Sequence, residues 1–395
     1  MRKLLLASAA TMALTSAAHA EGEVPVGLLL SFTGPLESLI PPIAAGADLA
    51  IAEINATGTW MGGMTVNTVR GDTYCNDAAG ATATAERAVT AEGVRGIIGS
   101  DCSGMSTAIL ANVAMPNGIP MISPASTSPA LTTAEDNGLF FRTAPSDARQ
   151  GQLMAELLME RDIGSVAITY TNNDYGLGFA DALEAAYTAA GGTVTMVAAH
   201  EDDRADYSAE VGALAAAGGD ALVVLGYVDS GGSGVIRAAL DTGAFDTFVV
   251  GDGMVGDALA DNFGSEIDGS FGTAPGGAND GVATFAALAS EAGFDGTSVY
   301  AGEAYDAAAL LLLAMQAAGS SEPSDYVPFI TQVANGPGEA IMPGELGRAI
   351  EILSSGGTID YEGVSAVNLI EPGEAAGTYR IVEIQDGELV TVEIR

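Results

Sequence analysis

Two stretches rich in small hydroxyl residues follow short apolar runs: "GIIGSDCSGMST" at 96–107 and "GIPMISPASTSPALT" at 118–132. In each, the apolar run reads as a strand and the following pattern as the start of a helix. Free backbone N–H groups at a helix N-terminus, with Ser and Thr hydroxyls beside them, can hold a carboxylate or another anion without a basic side chain. Ser103, Ala125, Ser126 and Thr127 are the candidates in these two loops. A plainer use is open to the first loop, because Ser103, Ser106 or Thr107 can simply cap its helix. Farther along, strand-like runs lead to Tyr175 in "NNDYGLG", to Tyr227 before "VDSGGSG", and to Asp252. A carboxylate and two tyrosines facing a hydroxyl-lined anion site suit a small zwitterion, with one region taking its carboxylate and Asp252 its amine. Taken singly, the tyrosines can be packing aromatics and Asp252 a turn residue.

Catalytic arrangements are sparse. His200 is the one histidine beyond the first twenty residues, and its neighbours "EDDRADYS" read as an acidic loop before a helix. There is no G-x-S-x-G elbow and no P-loop, and "GLGFAD" lacks the third glycine of a dinucleotide fingerprint. The acidic run at 201–206 lacks the spacing of an EF-hand. No cofactor, no metal and no catalytic residue is expected, and a carboxylate-based hydrolase is the remaining enzymatic alternative. Only two cysteines occur, Cys75 and Cys102, and an even pair in an oxidising compartment is most simply one disulfide. Zinc would need more N or S ligands than His200 supplies.

The elements that must position these residues alternate. "VPVGLLL", "MTVNTVRGD", "GIIGS" and "IPMIS" read as strands, separated by helices over 41–58, around 78–92 and from Met105. The pattern restarts after "FFRTAPSD", with strands "SVAITYT", "TVTMVAAH", "ALVVLGY" and "TFVVGD" and helices near 149–160, 178–190, 207–217 and 232–242. Such alternation predicts an α/β fold of two doubly wound parallel-sheet lobes, in which ligands bind beyond the carboxyl ends of the strands. Helices follow near 280–292, 302–318, 324–334 and 345–355, and two alternating segments around Asp386-Gly387 signal a closing hairpin. "AALLLLAMQAAG" is too short to span a bilayer and reads as a buried helix.

Residues 1–20 carry Arg2 and Lys3, an apolar stretch and a small-residue end at Ala18-His19-Ala20, which predicts a secretory signal peptide. Its removal leaves 11 basic against 51 acidic residues, a net charge of −40. That surface repels phosphate backbones and anionic lipid, so neither nucleic acid nor a membrane surface is expected as a partner. High solubility is the ordinary reading of this acidity.

The ordered series "VGLLLSFTGP", "GDTYCND", "GIIGSDCSGMST", "GIPMISPASTSPALT", "FFRTAPSDARQG", "NNDYGLG", "DYSAEVGALAAAGGDALVV" and "YAGEAYDAAALL" resembles the substrate-binding proteins of branched-chain amino acid ABC importers, the type I periplasmic binding proteins. The resemblance spans essentially the whole chain after residue 20. It implies two lobes joined by three hinge crossings, with lobe 1 formed by 21–143 plus 276–365 and lobe 2 by 144–275 plus 366–395. It also implies the Cys75–Cys102 bond. Carried over by position, Ser103 and Thr127 bind a ligand carboxylate, while the Ala125 carbonyl, Thr127 and Asp252 take the ammonium. Tyr175 and Tyr227 close from the second lobe. Two departures bear on side-chain preference. Leu39 stands where the leucine and isoleucine binders have an aromatic, and Asp252 replaces a glutamate. The implied protein is a periplasmic, monomeric, non-enzymatic carrier of a branched-chain or related amino acid, delivering to a membrane permease and ATPase. The alternatives are a short amide, urea-like solute or aromatic acid as ligand, or a ligand-sensing role at a receptor.

Overall fold

The computed structural model describes residues 22–395, so the expected signal peptide lies outside the described residues. Two seven-stranded sheets dominate. In spatial order the first runs Leu369–Ile370, Glu374–Ala375, Phe140–Arg142, Met121–Ser123, Ile97–Gly99, Glu23–Leu30, Thr65–Asp72. The second runs Glu388–Ile394, Tyr379–Gln385, Phe271–Pro275, Phe248–Val250, Ala221–Leu225, Ser165–Thr171, Thr193–His200. In both, the first five strands in chain order are parallel and reverse winding direction beside the first strand, the doubly wound pattern. The sheets are mixed rather than purely parallel. Leu369–Ile370 pairs antiparallel with Glu374–Ala375, and Tyr379–Gln385 lies antiparallel between Phe271–Pro275 and Glu388–Ile394.

Burial explains why the central strands read so clearly. Ala221–Leu225 and Phe248–Val250 are buried at every position, as a strand covered by helices on both faces must be. The helix Ile40–Ala56 accepts Pro41 and Pro42 in its first turn, where their missing N–H groups have no helical partner to lose. It crosses Ala301–Ala318 so closely that a Cβ on Gly46 would stand 2.1 Å from the Ala301 carbonyl oxygen. That second helix, which contains "AALLLLAMQAAG", is buried from Ala301 to Gln316. No helix among the described residues is long and apolar enough to cross a membrane.

The chain passes from the first sheet to the second after Arg142, returns after Pro275, and passes again between Ala375 and Tyr379. The third passage therefore falls about ten residues later than the expected boundary at 365, because Leu369–Ile370 and Glu374–Ala375 pair with the first sheet. The crossings bind one another: Gly276 N–H donates to the Thr378 carbonyl at 3.1 Å and the Tyr379 hydroxyl to the Ser146 carbonyl at 3.0 Å.

Candidate functional site

A narrow cavity lies between the lobes. The first lobe lines it with Leu36, Leu39, Ile43, Asp101, Cys102, Ser103, Ala125 and Tyr300, the second with Tyr175, Tyr227, Asp252 and Gly253. Ser103, Ala125, Tyr175, Tyr227 and Asp252 each follow the carboxyl end of a parallel strand, and the fold brings all five together.

Hydroxyl groups of the two loops weld the first-lobe wall. The Ser100 carbonyl accepts from the hydroxyls of Ser106, Ser123 and Ser126, at 3.1, 2.5 and 3.0 Å. Ser126 is thus spent inside the wall, away from the cavity lining. Arg142, buried in its strand, clamps the second loop from behind by donating to the carbonyls of Ser126 at 3.1 Å and Ser128 at 2.9 Å, and it pairs with Glu374. The cap question also resolves. The helix Ser103–Ile109 has Cys102 at its N-cap and no side-chain cap bond. Thr107 donates instead to the Ser103 carbonyl at 3.0 Å, and Ser106 to Ser100. Ser103 Oγ accepts the Ser128 N–H at 3.1 Å, which leaves its own proton to donate into the cavity. In the second loop Ser128 is a cap, accepting from Ala130 N–H at 3.4 Å. The Cys75–Cys102 disulfide, with Cα atoms 5.4 Å apart, ties the loop after Thr65–Asp72 to this wall.

Asp252 anchors the opposite wall. It is 3% exposed, and its carboxylate accepts from Gln150 Nε2 at 3.0 Å, Tyr175 OH at 3.2 Å and Tyr300 OH at 2.5 Å. Burial pushes its carboxyl above the usual carboxylate range, against the pull of those three donors. Tyr175 and Tyr227 stack with ring centroids 5.5 Å apart and planes 13° from parallel, and Asn173 Nδ2 donates to the Tyr227 hydroxyl at 3.1 Å. Burial, reinforced by nearby carboxylates, lifts the hydroxyl pKa values of Tyr175, Tyr227 and Tyr300 well above normal, so all three remain neutral donors.

Thr127 sits apart from the cavity lining, fully buried beside Asp147, whose N–H donates to the Thr127 carbonyl at 2.9 Å. Neither Asp147 oxygen nor Thr127 Oγ1 has a hydrogen-bond partner of ordinary geometry. Burial first and the Asp252 charge second raise the Asp147 carboxyl far above its usual range. Four contributors escaped the residue-by-residue reading: Asp101, Asp147, Gln150 and Tyr300. Nothing in local spacing marks a helix side chain such as Gln150 as the partner of a carboxylate 102 positions away. Tyr300 has a left-handed backbone, φ 64°, which is uncommon for a bulky residue and a mark of functional positions.

His200 lies outside the cavity lining, with Nδ1 2.8 Å from Thr169 Oγ1, and burial pushes its pKa down to about 4. Among the described residues no group of three or more His, Cys, Asp or Glu could hold a metal ion.

A family model described as "Periplasmic binding protein" matches residues 23–346. Leu/Ile/Val-binding protein homolog 1 of Brucella melitensis biotype 1 is 29% identical over 349 residues, covering 87% of this chain and 91% of that protein. Among solved structures, the chain is similar to the leucine binding protein LivK of Thermotoga maritima, with a TM-score of 0.78 and 24% identity over 94% of this chain and 98% of that one. It is also similar to an ABC transporter solute binding protein of R. palustris in complex with 4-hydroxybenzoate, with a TM-score of 0.75 and 18% identity over 94% and 97%. At these identities the two structures speak to the fold.

Proposed function

We propose, for a chain that belongs to the periplasmic binding protein family, that it captures a small amino acid of the branched-chain or a related kind and delivers it to the permease and ATPase of an ABC importer. The family consists of exported solute-binding proteins, not enzymes. One observation carries the amino acid reading. Asp252, a buried carboxylate supported by three neutral donors and no cation, faces across a narrow cavity the Ser103 hydroxyl and the uncapped helix start beside it. An ammonium completes the first and a carboxylate the second. The Ala125 carbonyl adds an acceptor for the ammonium, and the stacked Tyr175 and Tyr227 cover the ligand. Thr127 acts from behind the lining.

The lobes touch in the structure. Ser38 N–H donates to Asp229 at 2.7 Å, and Ser128 Oγ to the Asp174 carbonyl at 2.9 Å. Hinge closure around a ligand is already known for periplasmic binding proteins as a class. Because contacts from both lobes coexist only when the cleft is shut, a ligand that uses both stabilises the closed form.

Mature protein unfolded, freed of ligand and refolded should melt higher with leucine, isoleucine, valine or alanine, because a ligand bound only by the native state raises the midpoint by mass action. Stabilisation by amides or benzoate-type acids alone would overturn the zwitterion reading, since neither carries the ammonium that Asp252 is proposed to meet.

A further inference from the structure

The cavity holds a second carboxylate on the wall opposite Asp252. Asp101 is 2% exposed and shares the lining with the aliphatic side chains of Leu36, Leu39 and Ile43. Ser31 donates to it twice, through its N–H at 2.8 Å and through its hydroxyl, and the Ser100 hydroxyl approaches at 3.4 Å. All of these donors are neutral, so the charge of the carboxylate has no counter-ion among them. No arginine, lysine or histidine lines the cavity, and the salt bridges of the described residues do not include Asp101. Asp101 and Asp252 line the same cavity from opposite lobes, with Tyr227 also in that lining. A buried carboxylate without a cationic partner is costly, and burial raises the Asp101 carboxyl accordingly.

We infer that Asp101 selects the ligand's side chain, and that the cavity takes a small diamino acid whose second amine reaches Asp101 while its methylenes lie against Leu36, Leu39 and Ile43. The inference rests on the amino acid reading above and narrows it: Asp252 holds the α-ammonium, the Ser103 region the carboxylate, and Asp101 the distal ammonium. An aliphatic side chain in the same pose would bury Asp101 still further with nothing to pair it.

Calorimetric titration of refolded, ligand-free protein with L-leucine, L-2,4-diaminobutyrate, L-ornithine and L-lysine tests this. One of the three diamino acids should bind about 30-fold or more tighter than leucine, the fold-change for a buried charge pair gained or lost. Asp101→Asn, which keeps an acceptor for Ser31, should erase that gap, weakening the diamino acid and strengthening leucine, because the unpaired charge that leucine would bury is gone. Leucine binding as tightly as every diamino acid in the wild type would overturn the inference while leaving the amino acid reading intact, with Asp101 only a tie to Ser31. No binding by any of the four would remove the amino acid reading itself. The wild-type comparison decides without any variant, so a poorly folding Asp101→Asn does not spoil the test.

Discussion

Replacing Asp252 by Ala tests both the fold's tolerance and the site's chemistry. The carboxylate is the charged group proposed to meet the ligand's α-ammonium, and truncating one partner of a buried, hydrogen-bonded charge pair costs about 2–5 kcal/mol. Affinity should therefore fall by roughly 30-fold to several thousand-fold. Stability should move far less. Gln150 Nε2 keeps the Thr273 carbonyl at 3.0 Å and Thr273 Oγ1 at 3.1 Å, so it is not orphaned. Tyr175 OH still accepts the Gly253 N–H at 3.3 Å but loses the acceptor for its own proton, as Tyr300 OH does, although both residues line the cavity. Against those modest losses, the substitution removes a buried charge that raises the neighbouring Asp147 carboxyl. The ligand-free melting temperature should thus stay close to the wild-type value or rise, while the increment on adding ligand disappears. Asp252→Asn, which keeps the shape and one acceptor oxygen, should lose nearly as much affinity, because the charge is what the ammonium reads. Isothermal titration gives the dissociation constants, and circular dichroism the melts. A dissociation constant for Asp252→Ala within about threefold of wild type, in a protein that melts normally, would refute the assignment of Asp252 to the amine.

Closure offers an independent perturbation: a Cβ on Gly178 of the second lobe would stand 2.9 Å from Pro129 Cδ and 3.0 Å from Ser128 Oγ of the first, so Gly178→Leu should wedge the cleft open. Small-angle scattering should then show no ligand-induced compaction, with the fold retained; compaction equal to wild type would contradict the closing contact. Near the hinge, Glu303 is buried with its carboxyl pushed up to about 7, by burial first and Asp306 second, and Asp306 is itself raised to about 6. A carboxyl raised from 4.5 to about 7 on folding favours the folded state at low pH and loses that advantage as pH climbs through this window, by roughly 3 kcal/mol for Glu303. Glu303→Gln should accordingly raise stability at pH 8 and flatten the fall in melting temperature between pH 5 and about 7, as urea titrations at several pH values would record. Removing the Cys75–Cys102 bond, which closes a separation of 27 residues, by paired Ser substitutions should cost about 2–5 kcal/mol and loosen the Ser103 wall; unchanged denaturant midpoints would show the bond to be dispensable.

Local chemistry made some features readable and left others hidden. Runs rich in β-branched and apolar residues announce themselves as strands, so "SVAITYT", largely buried, and "TVTMVAAH", a half-buried edge strand, match Ser165–Thr171 and Thr193–His200 residue for residue. The Asp386-Gly387 hairpin was equally clear, because both residues take the positive φ, 53° and 81°, that a two-residue turn demands and that Asp and Gly tolerate. The helix expected from 178 begins at Asp174 instead, since Asn173 accepts the Gly176 N–H and caps it, a short-range bond that the glycines at 176 and 178 disguised. Short strands whose partners lie far along the chain gave no such signal. Phe140–Arg142 and Phe271–Pro275 span three and five residues, and Glu374–Ala375 has meaning only beside Arg142, more than 200 positions away.

The same division runs through the site. Ser103, Ala125, Tyr175, Tyr227 and Asp252 could be found because each follows a recognisable strand and the topology of doubly wound sheets sends those ends to one cleft. Ser126 followed a strand equally well, yet its hydroxyl satisfies the buried carbonyl of Ser100. Thr127 lies behind the lining beside Asp147 with its hydroxyl unpaired. Asp101 is the converse case, adjacent in sequence to Cys102 and yet noticeable only when its donors, Ser31 from 70 positions earlier among them, prove to be neutral and no cation lines the cavity. Strand ends therefore gather the candidate residues of the cleft, whereas the ligand proposed for it depends on buried charges left without a counter-ion. That remainder is a property of the assembled walls and not of any segment of the chain.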